Sequence, residues 1–216
     1  MGKIYRIPAQ KVEVGLLECR NGFGTLKTTD TGADFPVFAC TEVFENPKAT
    51  ASTGCLGATA LPSVVAAAAV TEGITQPDYP RSLQMVASAA ATSVVTAYGY
   101  DQFGNAINEA FTLNGTSDVP GTKVFASITK FVLATRIDGA ANLTVGFGKI
   151  LGTSRRVLGL ALDGAVFATS GGKLASVQET TRPVKATTAG VQGAYFNTAL
   201  AATNTYILRY HTDEIR

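Results

Sequence analysis

From Arg81 to Gly152 the chain alternates short β-branched and aromatic runs with Gly, Asn and Asp turns. A two-residue period places successive side chains on opposite faces of a strand. Turn signals recurring every eight to twelve residues favour a sandwich or barrel. Long helical periods and internal repeats are absent from the sequence. The predicted fold class is therefore all-β, a β-sandwich or barrel-like domain with an extended N-terminal arm.

The strand readings are specific. Leu83 to Ser88, Ser93 to Tyr100 and Ala106 to Leu113 are three predicted strands, the last two joined by a loop at Asp101 to Asn105. Along the third, Ile107, Phe111 and Leu113 share one face. Glu109 shares it too, which predicts an edge position or a basic partner. Lys123 to Thr129, Phe131 to Thr135 and Asn142 to Gly148 follow. Val157 to Leu162 and Ala165 to Thr169 flank Asp163-Gly164, the signature of a two-residue hairpin turn. Lys173 to Gln178, Gly193 to Asn197 and Thr205 to Thr212 complete the set.

Before residue 78 the pattern is weaker. Phe35 to Phe44 reads as a strand interrupted at Pro36, and Asn46 to Gly57 reads as loop. Leu61 to Val70 is the one place for a short helix, with Pro62 in its first turn and alanines behind it. Gly73, Pro77 and Pro80 then break regular structure. Two regions are expected: 1–78, an arm and loop-rich part, and 79–216, the sandwich.

Composition narrows the function. Of 216 residues 46% are hydrophobic and 16% charged, against roughly 25% charged in typical soluble domains. So few charges suit a chain that buries much of its surface in an assembly. Net charge is +2, and Arg155-Arg156 is the only adjacent basic pair. Nucleic-acid binding would want a basic stripe with stacking aromatics, so no nucleic-acid partner is expected. The opening Met1-Gly2-Lys3 carries no signal-peptide pattern, and Arg6 spoils a myristoylation motif. The longest apolar run, Val64 to Val70, is too short to span a bilayer, so no membrane role is expected. Cys19, Cys40 and Cys55 form no CxxC pair and read as reduced thiols of a cytosol-made protein.

Catalytic and cofactor readings find little support. The single histidine, His211, lies on the last strand without a spaced nucleophile or acid. Most carboxylates fall in predicted turns, where they bond their own backbone. Gly146 to Gly152 glances at a phosphate loop, but its glycine spacing is wrong and no helix follows. Gly171-Gly172-Lys173 lacks the following Ser or Thr. No calcium-loop pattern is present. Phe103, Phe111, Phe125, Phe131 and Phe147 fall in strand periods and read as core. The expectation is no enzyme, no metal and no cofactor.

Tyr79-Pro80-Arg81-Ser82-Leu83, Thr96 to Gly104, Phe111 to Gly115, Val119 to Phe125, Ser127 to Thr129, Val145 to Gly148 and Leu151-Gly152 together resemble a family of tailed-phage virion proteins. These are small β-sandwich proteins, usually head decoration (cement) proteins. The resemblance covers about 40% of the chain. It implies a subunit, often trimeric, bound outside a capsid shell and locking neighbouring capsomers, with the major capsid protein as partner. It implies no catalytic residue. Residues 3 to 14 are then a candidate arm adding a strand to a neighbour, with Ile4, Tyr5, Arg6 and Val12 as contact residues; equally, this segment is the domain's own first strand. A tail-tube or connector subunit is the alternative. A carbohydrate-binding sandwich is another, weakened by the absence of tryptophan.

Overall fold

In a computed structural model, side chains are described for residues 40–62, 67–134, 141–155 and 199–210. The backbone is also described at 10–11, 17–18, 23–27, 34–39, 158–170, 173–177, 184–185, 193–195 and 211–212. Every regular element among the described residues is a strand. In chain order these are β1 (Gln10–Lys11), β2 (Leu17–Glu18), β3 (Phe23–Lys27), β4 (Asp34–Glu45), β5 (Gly54–Ala60) and β6 (Ala68–Val70). Then come β7 (Arg81–Ala87), β8 (Val94–Tyr100), β9 (Ala106–Thr112), β10 (Val119–Pro120), β11 (Ser127–Leu133) and β12 (Asn142–Gly152). The last are β13 (Leu158–Ser170), β14 (Lys173–Val177), β15 (Val184–Lys185), β16 (Gly193–Tyr195) and β17 (Asn204–Thr212). The fold is all-β and antiparallel throughout, as the alternation predicts.

Three sheets are built from these strands. A four-stranded sheet runs β6-β11-β8-β9. A six-stranded sheet runs β10-β7-β12-β16-β15, with β5 also paired to β12. A five-stranded sheet runs β14-β13-β17-β4-β3. β1 and β2 form a separate pair. Strands from both sides of residue 78 share sheets: β4 pairs with β17 and β5 with β12.

The larger core lies between the four- and six-stranded sheets. Val95 and Ala97 of β8, Ile128, Phe131 and Leu133 of β11, and Leu83, Met85, Leu143, Val145 and Phe147 of β7 and β12 fill it. Burying each large apolar side chain contributes about 1.5–3 kcal/mol. Ile128 and Phe131 are three residues apart, an odd spacing for one face. A register shift between Ile128 and Lys130 brings both inward, as a bulge does by adding one residue. A second core joins Phe44, Leu200, Tyr206, Leu208 and Tyr210 to Leu151 at the end of β12. Strand β12 therefore serves both cores.

Several local expectations change. The region 46–57 is not all loop: β5 begins at Gly54, and Cys55 and Leu56 are buried. The expected helix over Leu61 to Val70 is wrong at its C-terminal end, where Ala68–Val70 pair with Phe131–Leu133; residues 63–66 lie outside the described residues. Cross-strand pairing there overrides alanine's helix preference. Strand β4 runs on through Pro36, opposite Thr25. Asp163-Gly164 is not a hairpin turn. Leu158 faces His211 while Asp163 faces Arg209, so the Asp-Gly pair follows a bulge inside the long β13.

Ser93 is 4% exposed and its Oγ has no hydrogen-bond partner. Its carbonyl accepts from Leu113 N at 3.0 Å, a bond that alanine would keep. An unpartnered buried hydroxyl costs about 1–3 kcal/mol. Ser93→Ala is therefore expected to raise stability by about 1 kcal/mol in urea titration; a loss of that size would contradict the assignment.

Candidate functional site

Arg81 is the most constrained charged group among the described residues. It opens β7 and is fully buried. Its Nε and one terminal nitrogen donate to the Gly148 carbonyl at 3.2 and 2.6 Å. The other terminal nitrogen donates to the Lys48 carbonyl at 2.6 Å and to Asp78 at 3.4 Å. Asp78 also accepts from Lys48 N at 2.5 Å. The guanidinium and the Lys48 ammonium lie 5.4 and 4.9 Å from the centre of the Phe147 ring. Burial lowers the Arg81 pKa, and the neighbouring Asp78 charge opposes that shift. The arrangement fastens the 48 and 78 segments to β12. Its donors end on structural carbonyls and one carboxylate, which is stapling rather than catalysis. In the sequence the one signal for this role is an arginine that opens a buried strand.

The glycines of β12 have a packing purpose. A Cβ at Gly146 would lie 2.0 Å from the Ala51 carbonyl oxygen, and one at Gly148 would lie 2.3 Å from Ser82 Oγ. At Gly146 the backbone of Ala51 and Thr53 passes directly over the strand, leaving no room for a side chain. The run that resembles a phosphate loop is a central strand.

The acids hold backbone. Glu109 on β9 accepts from Thr122 N at 2.7 Å, Thr122 Oγ1 at 2.9 Å and Lys123 N at 3.3 Å. It shares the inward face of an edge strand, as the sequence predicts. Asp101 accepts from Phe103 N and Asn105 N, both at 2.8 Å, and closes the β8–β9 loop. Glu42 accepts from Tyr210 Oη at 2.5 Å and from Ser154 N and Oγ at 2.7 and 2.6 Å, tying residue 154 to the five-stranded sheet. Burial and the bond to Glu42 push the Tyr210 pKa up. No cluster of three or more potential metal-ligating side chains occurs among the described residues.

Burial raises the Cys55 thiol from 9.0 to about 12, and burial likewise raises Cys40. Thiolate is the reactive form, so Cys55 is expected to stay unlabelled by a disulfide reagent at mildly alkaline pH until the protein is denatured. The unfolded thiol ionises first, so its stabilising contribution is complete below pH 9.0 and is lost as pH rises towards about 12. Urea midpoints should fall across that window. Rapid labelling of native Cys55 would contradict its burial.

The sequence-selected contact residues Ile4, Tyr5, Arg6 and Val12 lie outside the described residues. His211 pairs with Ala39 and Leu158 through the backbone of β17; its side chain is not among those described. A groove of about 450 Å³ beside β10 is lined in part by Ser82, Gln84, Asp118, Thr122, Lys149 and Ile150.

The outer face of the four-stranded sheet is the broad surface of interest. Its cross-strand partners are Val94 with Thr112, Thr96 with Ala110, Tyr98 with Asn108, and Tyr100 with Ala106. On the other side of β8, Lys130 pairs with Tyr98 and Val132 with Thr96. Val94 and Tyr100 are 38% and 45% exposed. Lys130 carries the only charge among these residues, and its Nζ sits 4.9 Å from the Tyr98 ring centre. Comparison with known proteins finds no matching family model, no matching curated protein and no matching solved structure.

Proposed function

We propose that the chain is a non-enzymatic decoration subunit of a tailed-phage head, binding the outside of the shell and bridging capsomers, with the major capsid protein as partner and a trimer as the working unit. The observation that carries this reading is the outer face of the four-stranded sheet. It is broad, and among its described residues Lys130 carries the only charge. In a chain with 16% charged residues, such a face suits burial against protein. The segments that resemble the virion family also frame the sandwich. Tyr79 to Leu83 leads into β7, Thr96 to Gly104 spans most of β8 and its loop, and Val145 to Gly148 and Leu151-Gly152 lie on β12. Attachment at several equivalent sites lets modest contacts add to a tight grip.

The N-terminal arm enters the same reading. Among the described residues β1 and β2 hydrogen-bond as strands only to each other. Deleting residues 1–14 is expected to leave the thermal transition in place and weaken co-sedimentation with empty heads by tenfold or more, on the order of 1.4 kcal/mol. Unchanged co-sedimentation would remove the arm. Assembly into stacked rings or tubes would replace the head reading with a tail subunit.

A further inference from the structure

We infer that Asn114-Gly115 is a fold-gated deamidation site, where opening of one corner of the sandwich converts Asn114 to aspartate and isoaspartate. The inference is independent of attachment to a shell.

The chemistry needs only water. The Gly115 peptide nitrogen gives its proton to solvent base and attacks the side-chain carbonyl carbon of Asn114. A C–N bond forms, ammonia leaves, and a five-membered succinimide results. Water then opens either carbonyl of that ring. One opening gives aspartate; the other reroutes the main chain through the side chain and gives isoaspartate. A glycine after the asparagine favours ring closure, because no Cβ crowds the attacking nitrogen. Asn114 is exposed, so base and water reach it.

The fold withholds the nucleophile. Gly115 N donates to the Ala91 carbonyl at 3.0 Å, and the Gly115 carbonyl accepts from Ala87 N at 3.3 Å. Leu113 N donates to the Ser93 carbonyl and Ser117 N to the Asn114 carbonyl, both at 3.0 Å. Attack requires the Gly115 nitrogen to shed its hydrogen bond and its peptide plane to turn towards the Asn114 side chain.

The position of the clamp decides what opens it. Residues 88–93 carry the chain from β7 of the six-stranded sheet to β8 of the four-stranded sheet, and residues 113–118 carry it back from β9 to β10. Two crossings between the sheets are thus bonded to each other, and Ala91 and Leu113 within them are buried. The nitrogen is freed only when the crossings part. Where opening and closing are fast, the rate of such a reaction follows the open fraction. Isoaspartate adds a methylene to the main chain and a carboxylate to the turn. The register that brings Gly115 to both Ala87 and Ala91 is then lost, and the corner stays open.

Incubation of the full chain at mildly alkaline pH tests this. Isoaspartate at position 114 is read by peptide mapping, and exchange of the Gly115 amide by NMR. Native protein is expected to convert on the order of a hundredfold more slowly than guanidinium-unfolded chain. Ala91→Gly removes a buried methyl and loosens the loop backbone. It is expected to speed Gly115 exchange and Asn114 conversion by the same factor, because one opening serves both. Sub-denaturing guanidinium applied to the wild type gives the same comparison without a substitution. Native conversion at the unfolded rate, with the Gly115 amide still protected, would overturn the inference. So would exchange that quickens, in the variant or in guanidinium, while conversion does not.

Discussion

Replacing Arg81 with methionine is expected to cost about 3–5 kcal/mol, the range seen when one member of a buried ionic network is removed. Methionine keeps much of the apolar stem and loses every donor. The carbonyls of Gly148 and Lys48 then lose a charged partner, and Asp78 loses its cation. At about 2–4 °C per kcal/mol for a chain of this size, the thermal midpoint should fall by roughly 6–20 °C. Lysine should not rescue it. A single ammonium cannot reproduce the planar fork that reaches Gly148, Lys48 and Asp78 together. The 48 and 78 segments should also become sites of limited proteolysis. A midpoint within about 2 °C of wild type, under 1 kcal/mol, would show that the staple is dispensable.

Gly146→Ala should be comparably severe for a steric reason. The new Cβ would meet the Ala51 carbonyl oxygen at 2.0 Å and Thr53 backbone atoms at 2.5 Å. These are backbone atoms, which cannot swing aside as a side-chain tip can. Strand β12 cannot shift away either, because β5 and β7 pair along both its edges near this point. A loss of about 3 kcal/mol or more, or insoluble expression, is expected, at the upper end of overpacking costs. Gly57→Ala is the matched control. Nothing lies within 4 Å of a Cβ there, so the change should be neutral or slightly stabilising. Equal effects of the two substitutions in urea titration would contradict the packing argument.

The sandwich was legible because its strands alternate against one core. The inward set Val95, Ala97, Phe111 and Leu113 can be read from the period alone. Glu109 was legible for the same reason. Where one residue does two jobs the sequence misleads. Ala68–Val70 has helical composition, yet its backbone completes the edge of the four-stranded sheet. Asp163-Gly164 has hairpin chemistry, but β17 pairs on past it from Asp163 to Ala168. Arg81 was missed because its partners are backbone carbonyls 33 and 67 residues away. Carbonyls leave no mark in a sequence. The outer sheet face was half legible: its residues alternate with the core set, but that one sheet presents them together is a fact of pairing. The contact residues chosen from the arm, Arg6 among them, followed from the resemblance and lie outside the described residues.

Purified protein mixed with empty expanded heads that lack it, then imaged by electron microscopy, tests the central claim most directly. The expected result is added density on the outer surface at symmetry-equivalent positions between capsomers. Heads that emerge bare, with the protein instead forming tubes or remaining free in solution, would contradict the account.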